Sequence, residues 1–278
     1  MLHGMKGRME HHAEDARYYV DVVAESIQLL QAFAAPPYRF TLTELSVLTG
    51  LSKNKTFRLL HTLVHTGMVR QEADTKRYAL GLPVLRLASA LQAGDEILLA
   101  ARDTLDWVQD TIDERVNLGA WDGEDHSICI ETREPSQRLQ ISARVGVRFP
   151  LHAGAIPKVL LAYSDDATIA GYIARNQPLR SFTAKTANSA DELWAEVRAI
   201  RREGVAVSDE DLDEGACAIA APIFDRGGKV VAGLSIAAPV SRFGPLERQR
   251  YREVVIAAGE RISRNLGFVA SPGRWVVA

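Results

Sequence analysis

Residues 41–82 decide the fold of the N-terminal region, and they read TLTELSVLTGLSKNKTFRLLHTLVHTGMVRQEADTKRYALGL. Thr41 and Glu44 have the spacing of a capping box, in which each side chain bonds the free backbone N–H of the other residue at a helix start. Gly50 tolerates the left-handed conformation of a sharp turn, and Ser52 then offers an N-cap oxygen to a second helix. The stretch therefore predicts two helices joined by a tight turn.

The second helix is amphipathic. Together with Leu45 and Leu48 of the first helix, its apolar face is expected to cover a core, and that face consists of Phe57, Leu59, Leu60, Leu63 and Val64. Its polar face consists of Asn54, Lys55, Arg58, His61 and His65. Gly67 ends the helix, and two short strands at residues 68–72 and 76–80 follow it. Helix, turn, helix and hairpin in this order predict a winged helix-turn-helix, which is a DNA-binding fold.

The local charge agrees with phosphate contact. Between residues 52 and 77 six cationic side chains accompany two acidic ones, although the whole chain has a formal net charge of −2. Asn and Arg side chains read base edges, whereas lysines hold phosphates. The expected DNA-contacting residues are Ser52, Lys53, Asn54, Lys55, Thr56, Arg58, His61, Arg70, Lys76 and Arg77. For the wing cations Arg70, Lys76 and Arg77, an idle surface charge stays open as the alternative.

Composition limits the other possibilities. The length of 278 residues suits about two domains. No apolar run is long enough to span a membrane, and residues 1–15 lack an apolar signal core, so we expect a cytoplasmic protein without a membrane partner. Cys129 and Cys217 are expected to be reduced, packed thiols. His61 and His65 have zinc-chelating spacing but no third ligand nearby, so no metal site is expected.

The predicted domains are a disordered tail at 1–18, the winged helix-turn-helix domain at 19–82, a linker helix at 83–94 and a second domain at 95–278. The first domain begins with a helix at 19–34, whose apolar residues at helical spacing are Val23, Ile27, Leu30 and Ala34. The linker helix is apolar on more than one side, which predicts burial against a second subunit. A dimer would also read two DNA half-sites.

The second domain mixes helices and strands. A helix at 95–115 has an apolar seam formed by Leu98, Ala101, Leu105, Val108 and Ile112. Strands are predicted at 116–121, 126–134, 139–145, 205–208, 216–224 and 229–237. Three more helices are predicted. The first ends at about residue 162, the second runs from Ser189 to about Glu203, and the third lies between Pro245 and Gly267. The whole chain is therefore an α+β protein, and small residues near the strand ends leave room for a small molecule.

Several stretches resemble the IclR family of bacterial transcriptional regulators, over residues 23–266. They are LTELSVLTGLSKNKTFRLLHTLVHTGMV (42–69), RYALGLPVLRLA (77–88), RLQISARVGVRFPLHAGA (138–155), KVLLA (158–162) and GVAVSDEDLDEGACAIAAPIFDRGGKVVAGLSIAAPVSRF (204–243). The resemblance implies a winged helix-turn-helix joined by a linker helix to a GAF-like effector-binding domain. It implies a dimer or dimer of dimers on a pseudo-palindromic double-stranded DNA operator. It further implies a small organic effector that controls catabolic genes, with repression favoured over activation.

The same resemblance places the effector pocket. Its expected residues are Leu118, Gly119, Ile130, Phe149, His152, Gly154, Ala155, Ser208, Asp209, Cys217, Ala218, Ile219, Ser235 and Ala237. Members that bind small keto acids tend to have an acidic residue, a cysteine and a hydroxyl where this chain has Ser208, Ala218 and Ala237. The more apolar lining favours a larger acid, such as an aromatic one. For His152 a structural hydrogen bond is the alternative, and for Arg148 a surface ion pair is the alternative to ligand contact.

Two other functional classes stay open: an enzyme with an appended DNA-binding domain, and a DNA-binding protein that ignores ligands. The sequence has no P-loop, GxSxG, GxGxxG or metal triad, so we expect no catalytic residue and no cofactor. Cys217 has Asp209 and His152 as possible neighbours. It fits a packed thiol better than a nucleophile, because a reactive thiol needs an electropositive site.

Overall fold

The computed structural model describes residues 18–269. The predicted tail at 1–18 therefore lies outside the described residues, except for Tyr18. The chain divides into two compact units between Ala93 and Gly94. The first unit is helical with a small hairpin, and the second has a six-stranded antiparallel sheet with helices, so the predicted α+β class is confirmed.

The first unit is a winged helix-turn-helix. Its elements are α1 (Asp21–Ala32), α2 (Leu42–Thr49), α3 (Lys53–His65), β1 (Val69–Gln71), β2 (Tyr78–Leu80) and α4 (Leu82–Gly94). The capping box of Thr41 and Glu44 forms at the start of α2, and Gly50 ends that helix with a φ of 70°. The Ser52 side chain caps α3 by accepting the N–H of Lys55 at 3.3 Å. Local sequence therefore determines both helix starts and the turn between them.

The core of this unit differs from the predicted one. Its buried residues are Leu29, Phe33, Phe40, Leu45, Leu59, Leu60, Leu63, Val69 and Tyr78. Six residues expected to face inward or to form an apolar face are exposed instead, namely Val23, Ile27, Ala34, Leu48, Phe57 and Val64. On α3 the buried stripe includes Thr56 and Leu63, and Phe57 and Val64 each follow one of them. One residue is a turn of about 100° around a helix, which carries both side chains out of the core.

The second unit has a curled antiparallel sheet with helices on both faces. Its elements are α5 (Glu96–Ile112), β3 (Arg115–Trp121), β4 (His126–Arg133), β5 (Arg148–Pro150), α6 (Ala155–Ala162), α7 (Asp166–Asn176), α8 (Ala190–Glu203), β6 (Ala206–Asp209), β7 (Ala216–Phe224), β8 (Val230–Pro239) and α9 (Pro245–Asn265). The strand order is β5-β4-β3-β8-β7-β6. Helices α5 and α9 share a core with one face, and α6, α7 and α8 share a core with the other. All five residues of the predicted α5 seam are buried.

Residues 139–145 do not form the predicted strand, and the third strand is β5. Side chains hold this segment instead of a strand ladder. The buried Arg115 guanidinium donates to the Ile141 carbonyl at 3.0 Å and to Gln140 Oε1 at 2.7 Å. Arg242 donates to the Leu139 carbonyl at 2.8 Å. Helix α7 was not predicted.

A buried histidine links α7 to neighbouring loops. His152 Nε2 lies 2.9 Å from the Arg180 carbonyl, so this nitrogen carries the proton and donates. Nδ1 then accepts from the Tyr172 hydroxyl at 2.5 Å. Burial lowers the pKa of His152 and raises the pKa of Tyr172. His152 therefore makes structural hydrogen bonds, which is the alternative to ligand contact given for it above.

Helix α9 packs closely on β7 at Gly259. A Cβ at this position would lie 2.7 Å from the Pro222 carbonyl oxygen, which belongs to the backbone and cannot rotate away. We expect Gly259→Ala to lower the free energy of unfolding by about 1–3 kcal/mol through overpacking. The matched control is Gly94→Ala, where a Cβ meets nothing within 4 Å. It should be neutral or stabilising by up to about 1 kcal/mol.

Urea unfolding followed by tryptophan fluorescence measures this difference, because all four tryptophans follow residue 94 in the sequence. Equal stability of the two variants would show that α9 does not need the small residue.

The lowered pKa of His152 predicts a pH dependence of stability. As pH falls through the ordinary value of 6.5, the unfolded chain binds a proton that the native imidazole resists, so the free energy of unfolding should fall. His152→Gln cannot bind this proton and should show a shallower decline between about pH 7 and pH 5. It should also be less stable at pH 7 by about 1–3 kcal/mol, because buried partners lose hydrogen bonds.

Urea titrations at several pH values compare the two proteins. His126, whose pKa is also lowered by burial, is present in both and contributes in the same direction. Identical pH slopes would contradict the prediction.

Candidate nucleic-acid interface and ligand cavity

Helix α3 presents a polar, basic face. Lys53, Asn54, Arg58 and His61 are exposed, and the first turn contains no acidic residue. In the part of the chain that the structure describes, no acidic partner pairs with Lys53 or Arg58, nor with Lys76 at the tip of the wing. Lys76 has a φ of 55°, which places it in the tight turn between β1 and β2. These three cations are available to an anionic partner such as a DNA backbone.

Other predicted DNA contacts are engaged within the domain. Lys55 forms an ion pair with Glu25 of α1. Arg77 donates to Glu44 at 3.2 Å and to the Arg39 carbonyl at 3.0 Å. Both cations stabilise the packing of the unit, and a phosphate would have to compete for them.

Thr56 corrects the predicted set. Its side chain is fully buried, and its hydroxyl donates to the Ser52 carbonyl at 3.0 Å. The residue belongs to the core side of α3, so it cannot touch DNA while the helix start is intact. Arg70 is exposed and lies 3.8 Å from Glu72, which also pairs with Arg39. Arg70 therefore shares one carboxylate with Arg39, and this single carboxylate balances only part of their combined charge.

Phe57 was assigned to the core from its hydrophobicity, but it lies on the outer face of α3 with 51% of its surface exposed. Its ring centroid is 6.3 Å from that of His61, one turn later. The buried stripe of Thr56, Leu59, Leu60 and Leu63 is complete without it. If Thr56 is counted as apolar, the spacing of residues 56, 59, 60 and 63 indicates this stripe from the sequence.

A cavity of about 100 Å³ lies in the second unit, beside the start of α6. Nine of the predicted effector residues line it, namely Gly119, Phe149, Gly154, Ala155, Ser208, Cys217, Ala218, Ser235 and Ala237. The unpredicted lining residues are Asn117, Ser127, Ile128, Cys129, Ile141, Ser142, Ala143, Ile156, Pro157, Leu212, Asp213 and Ala216. Ile141, Ser142 and Ala143 lie in the segment predicted as a strand, and the contacts of Arg115 with Gln140 and Ile141 bring it to the cavity instead.

Five predicted effector residues do not line the cavity: Leu118, Ile130, His152, Asp209 and Ile219. Successive side chains of a strand point to opposite faces. Leu118, Ile130 and Ile219 consequently pack into the core shared with α5 and α9. Asp209 pairs with Lys185 at 3.3 Å and with Arg248 at 3.0 Å.

Two hydroxyl groups of the cavity have different hydrogen-bonding roles. Thr132 donates to Asn117 Oδ1 at 3.1 Å, and Asn117 Nδ2 donates to Ser235 Oγ at 3.5 Å. The Ser235 hydroxyl therefore keeps its own hydrogen for a ligand acceptor. Ser208 already donates to Asp211 Oδ1, so it offers a ligand only lone pairs.

The start of α6 supplies further donors. The N–H groups of Ala155 and Ile156 have no acceptor within residues 18–269, and Pro157 has no N–H to offer. Pro157 fits here because the first turn of a helix needs no N–H at that position. A helix N-terminus has a partial positive charge that favours an anion. No Lys, Arg or His of residues 18–269 lines the cavity, so this backbone edge is its electropositive part.

A buried ion pair fixes that helix start. Lys158 pairs with Asp211 and donates to the Val207 carbonyl at 2.8 Å. Asp211 also accepts the Gly154 N–H at 3.3 Å. Burying two charges is costly unless their hydrogen bonds are complete. Here the second hydrogen bonds of Lys158 and Asp211, to Val207 and Gly154, hold the Gly154 turn against β6.

The structure gives no support to thiol chemistry. Burial raises the pKa of Cys129 to about 11, and burial together with Asp209, whose Oδ1 lies 3.6 Å from Cys217 Sγ, raises the pKa of Cys217 to about 11. Both thiols stay protonated near neutral pH. Arg148 forms an ion pair with Asp122, as the alternative to ligand contact expected. Among the described residues, no group of three or more His, Cys, Asp or Glu side chains could hold a metal ion.

None of the described helices is both long and apolar enough to cross a lipid bilayer.

Comparison with known proteins covers both units. The IclR helix-turn-helix domain matches residues 22–73, and the bacterial transcriptional regulator IclR C-terminal domain matches residues 89–264. The regulator KdgR of Escherichia coli is 32% identical over 227 residues, which are 82% of this chain and 86% of KdgR. The transcriptional repressor IclR of Escherichia coli is 28% identical over 249 residues, 86% of this chain and 90% of that protein.

Solved structures share the fold. An IclR regulator from Alicyclobacillus acidocaldarius has 25% identity and a TM-score of 0.83, covering 90% of this chain and 100% of its own. An IclR homolog from Microbacterium hydrocarbonoxydans, solved with 4-hydroxybenzoate, has 20% identity and a TM-score of 0.77, covering 88% and 99%. The relatives are transcriptional regulators, not enzymes. Two matching domains in the family's order show that this chain belongs to the IclR family of DNA-binding transcriptional regulators.

Proposed function

We propose that this protein is a ligand-responsive repressor in which α3 reads an operator and the cavity of the second unit binds a small aromatic acid. The observation that supports operator reading is the outer face of α3. There Lys53 and Arg58 lack acidic partners among the described residues, and Asn54 lies beside them. Arg and Asn make paired hydrogen bonds to guanine and adenine, and the N-terminal part of a recognition helix lies nearest the base edges.

The cavity favours a ring that has one acidic group. At about 100 Å³ it is two-thirds the size of an apolar cavity that accepts benzene, so a ring with an acidic group requires the cavity wall to widen on binding. The free N–H groups of Ala155 and Ile156 and the hydroxyl of Ser235 suit a carboxylate, and the lone pairs of Ser208 suit a hydroxyl donor on the ligand. A relative of the same fold was solved with 4-hydroxybenzoate, a compound with both groups, which supports this ligand class.

Helix α4 supports a dimer. Leu82, Leu85, Leu87 and Leu91 are each at least 61% exposed on it, and a second subunit would bury them. A dimer, or a dimer of dimers, would place two α3 helices on a pseudo-palindromic operator of catabolic genes in the cytoplasm. The ligand changes operator affinity only if it binds the DNA-bound and DNA-free states of the protein with different affinities. The coupling free energy between the two sites is typically about 1–3 kcal/mol. Repression agrees with the named repressor among the relatives.

The α3 assignment is tested with two cationic variants. Arg58→Ala should lose preference for the operator over random DNA, by about 1–3 kcal/mol, because it removes contacts to a base edge. Lys76→Ala should weaken binding to all sequences alike and reduce the salt slope by about one unit, because it removes a phosphate contact. Titrations of both variants on operator and random duplexes over a range of salt concentrations measure these effects. Unchanged affinity and footprint for Arg58→Ala would refute the assignment.

The ligand class is tested by thermal shift with benzoates, hydroxybenzoates and aliphatic acids. A compound at about 100 times its Kd should stabilise the folded protein by about 2.7 kcal/mol. Gly119→Val should abolish the shift, because even a Cβ there lies 2.9 Å from Ile156 Cγ2 in the cavity wall. Ser235→Ala keeps the space and removes a donor, so it should weaken binding about tenfold.

Gly94→Ala, away from the cavity, should retain the full shift. The absence of any shift across these compounds would favour a DNA-binding protein that ignores ligands of this class.

A further inference from the structure

We propose that Phe57 reads the 5-methyl group of a thymine and so selects one base pair in each half of the operator. This assignment rests on α3 being the helix that enters the major groove. It goes further, because it names a base and the chemical group by which that base is chosen.

The position of Phe57 is not explained by the core. Leu59, Leu60 and Leu63 fill the α3 side of the core, and Phe57 is not among the residues that pack against it. Half of a large aromatic side chain is therefore left in water, where it forgoes the free energy of burial. The exposed ring needs a partner from outside this unit to recover that free energy.

The surroundings of the ring indicate what that partner is. Residues three and four apart share a helix face, so Lys53 and Asn54 lie one turn before Phe57 and His61 one turn after it. The ring thus forms an apolar spot within a polar and basic surface. Val64, seven positions later, is the other large apolar side chain exposed on α3. A protein interface needs a contiguous apolar core, which two side chains separated by His61 do not supply. An anionic partner with a single apolar group fits this surface better.

The major groove of DNA has that chemistry. Each base pair presents hydrogen-bond donors and acceptors there, and thymine alone adds a methyl group. A phenylalanine side chain has no group that hydrogen-bonds to N7, O6 or N4, but it gains from covering a methyl. Asn54 and Arg58 flank Phe57 on α3 and would read polar edges, while Phe57 would read the apolar group.

The experiment uses the full-length protein and removes a single chemical group, the thymine 5-methyl, from the DNA. Operator sequences are first enriched from a random duplex pool. Each thymine of the enriched operator is then replaced by deoxyuracil, which lacks only the methyl. At one position in each half-site this change should weaken binding about fourfold, because the complex no longer buries one methyl group. Phe57→Ala should bind the thymine and uracil operators equally at that position.

Two further variants make the test specific. Phe57→Leu keeps an apolar side chain and should retain part of the discrimination. Val64→Ala removes another exposed apolar residue of the same helix, seven positions later, and should retain the full uracil effect.

The outcomes separate two kinds of failure. The proposal is overturned if no thymine shows the effect, if Phe57→Ala keeps it at every position, or if Phe57→Ala weakens binding to operator and random duplex alike. If Asn54→Ala and Arg58→Ala also leave the enriched sequence and the footprint unchanged, the assignment of α3 as the reading helix fails as well. An altered specificity in those two variants without a methyl effect overturns the role of Phe57 alone.

Discussion

The buried ion pair between Lys158 and Asp211 is the interaction on which the cavity depends. Asp211 accepts hydrogen bonds from the backbone of Gly154 and from the Ser208 hydroxyl while it neutralises Lys158. The three contacts together fix where α6 begins and which way the Ser208 hydrogen points. Because α6 begins there, its first two residues, Ala155 and Ile156, line the cavity. A pair of charges that would be costly alone thus determines the polarity of a binding site.

The second unit separates packing from binding through the two faces of its sheet. One face of β3 and β7 contributes Leu118 and Ile219 to the core under α5 and α9, and the other contributes Gly119 and Ala218 to the cavity. The small residues leave the space and the large ones fill the core. Neighbouring positions in the sequence therefore have unrelated roles, and a substitution at one should affect stability while a substitution at the next affects ligand binding.

The first unit makes a similar separation on one helix. Thr56, Leu59, Leu60 and Leu63 face the core, and this stripe turns Asn54, Phe57, Arg58 and His61 outward. Carboxylates of neighbouring elements engage Lys55 and Arg77, whereas Lys53, Arg58 and Lys76 lack such partners among the described residues. The basic surface is thus divided into cations that hold the domain together and cations that remain for DNA.

The sequence by itself determined the starts of α2 and α3, the turn at Gly50, the buried seam of α5 and the order of elements apart from α7 and residues 139–145, because caps, glycines and periodic leucines act over a few residues. The tertiary structure decided which side of α1 and α3 is buried, since a rotation of one residue leaves the local pattern almost as favourable. It also decided that Arg115 and Arg242 hold residues 139–141 where a strand was predicted. Such contacts join residues more than 20 positions apart, and no local pattern contains them.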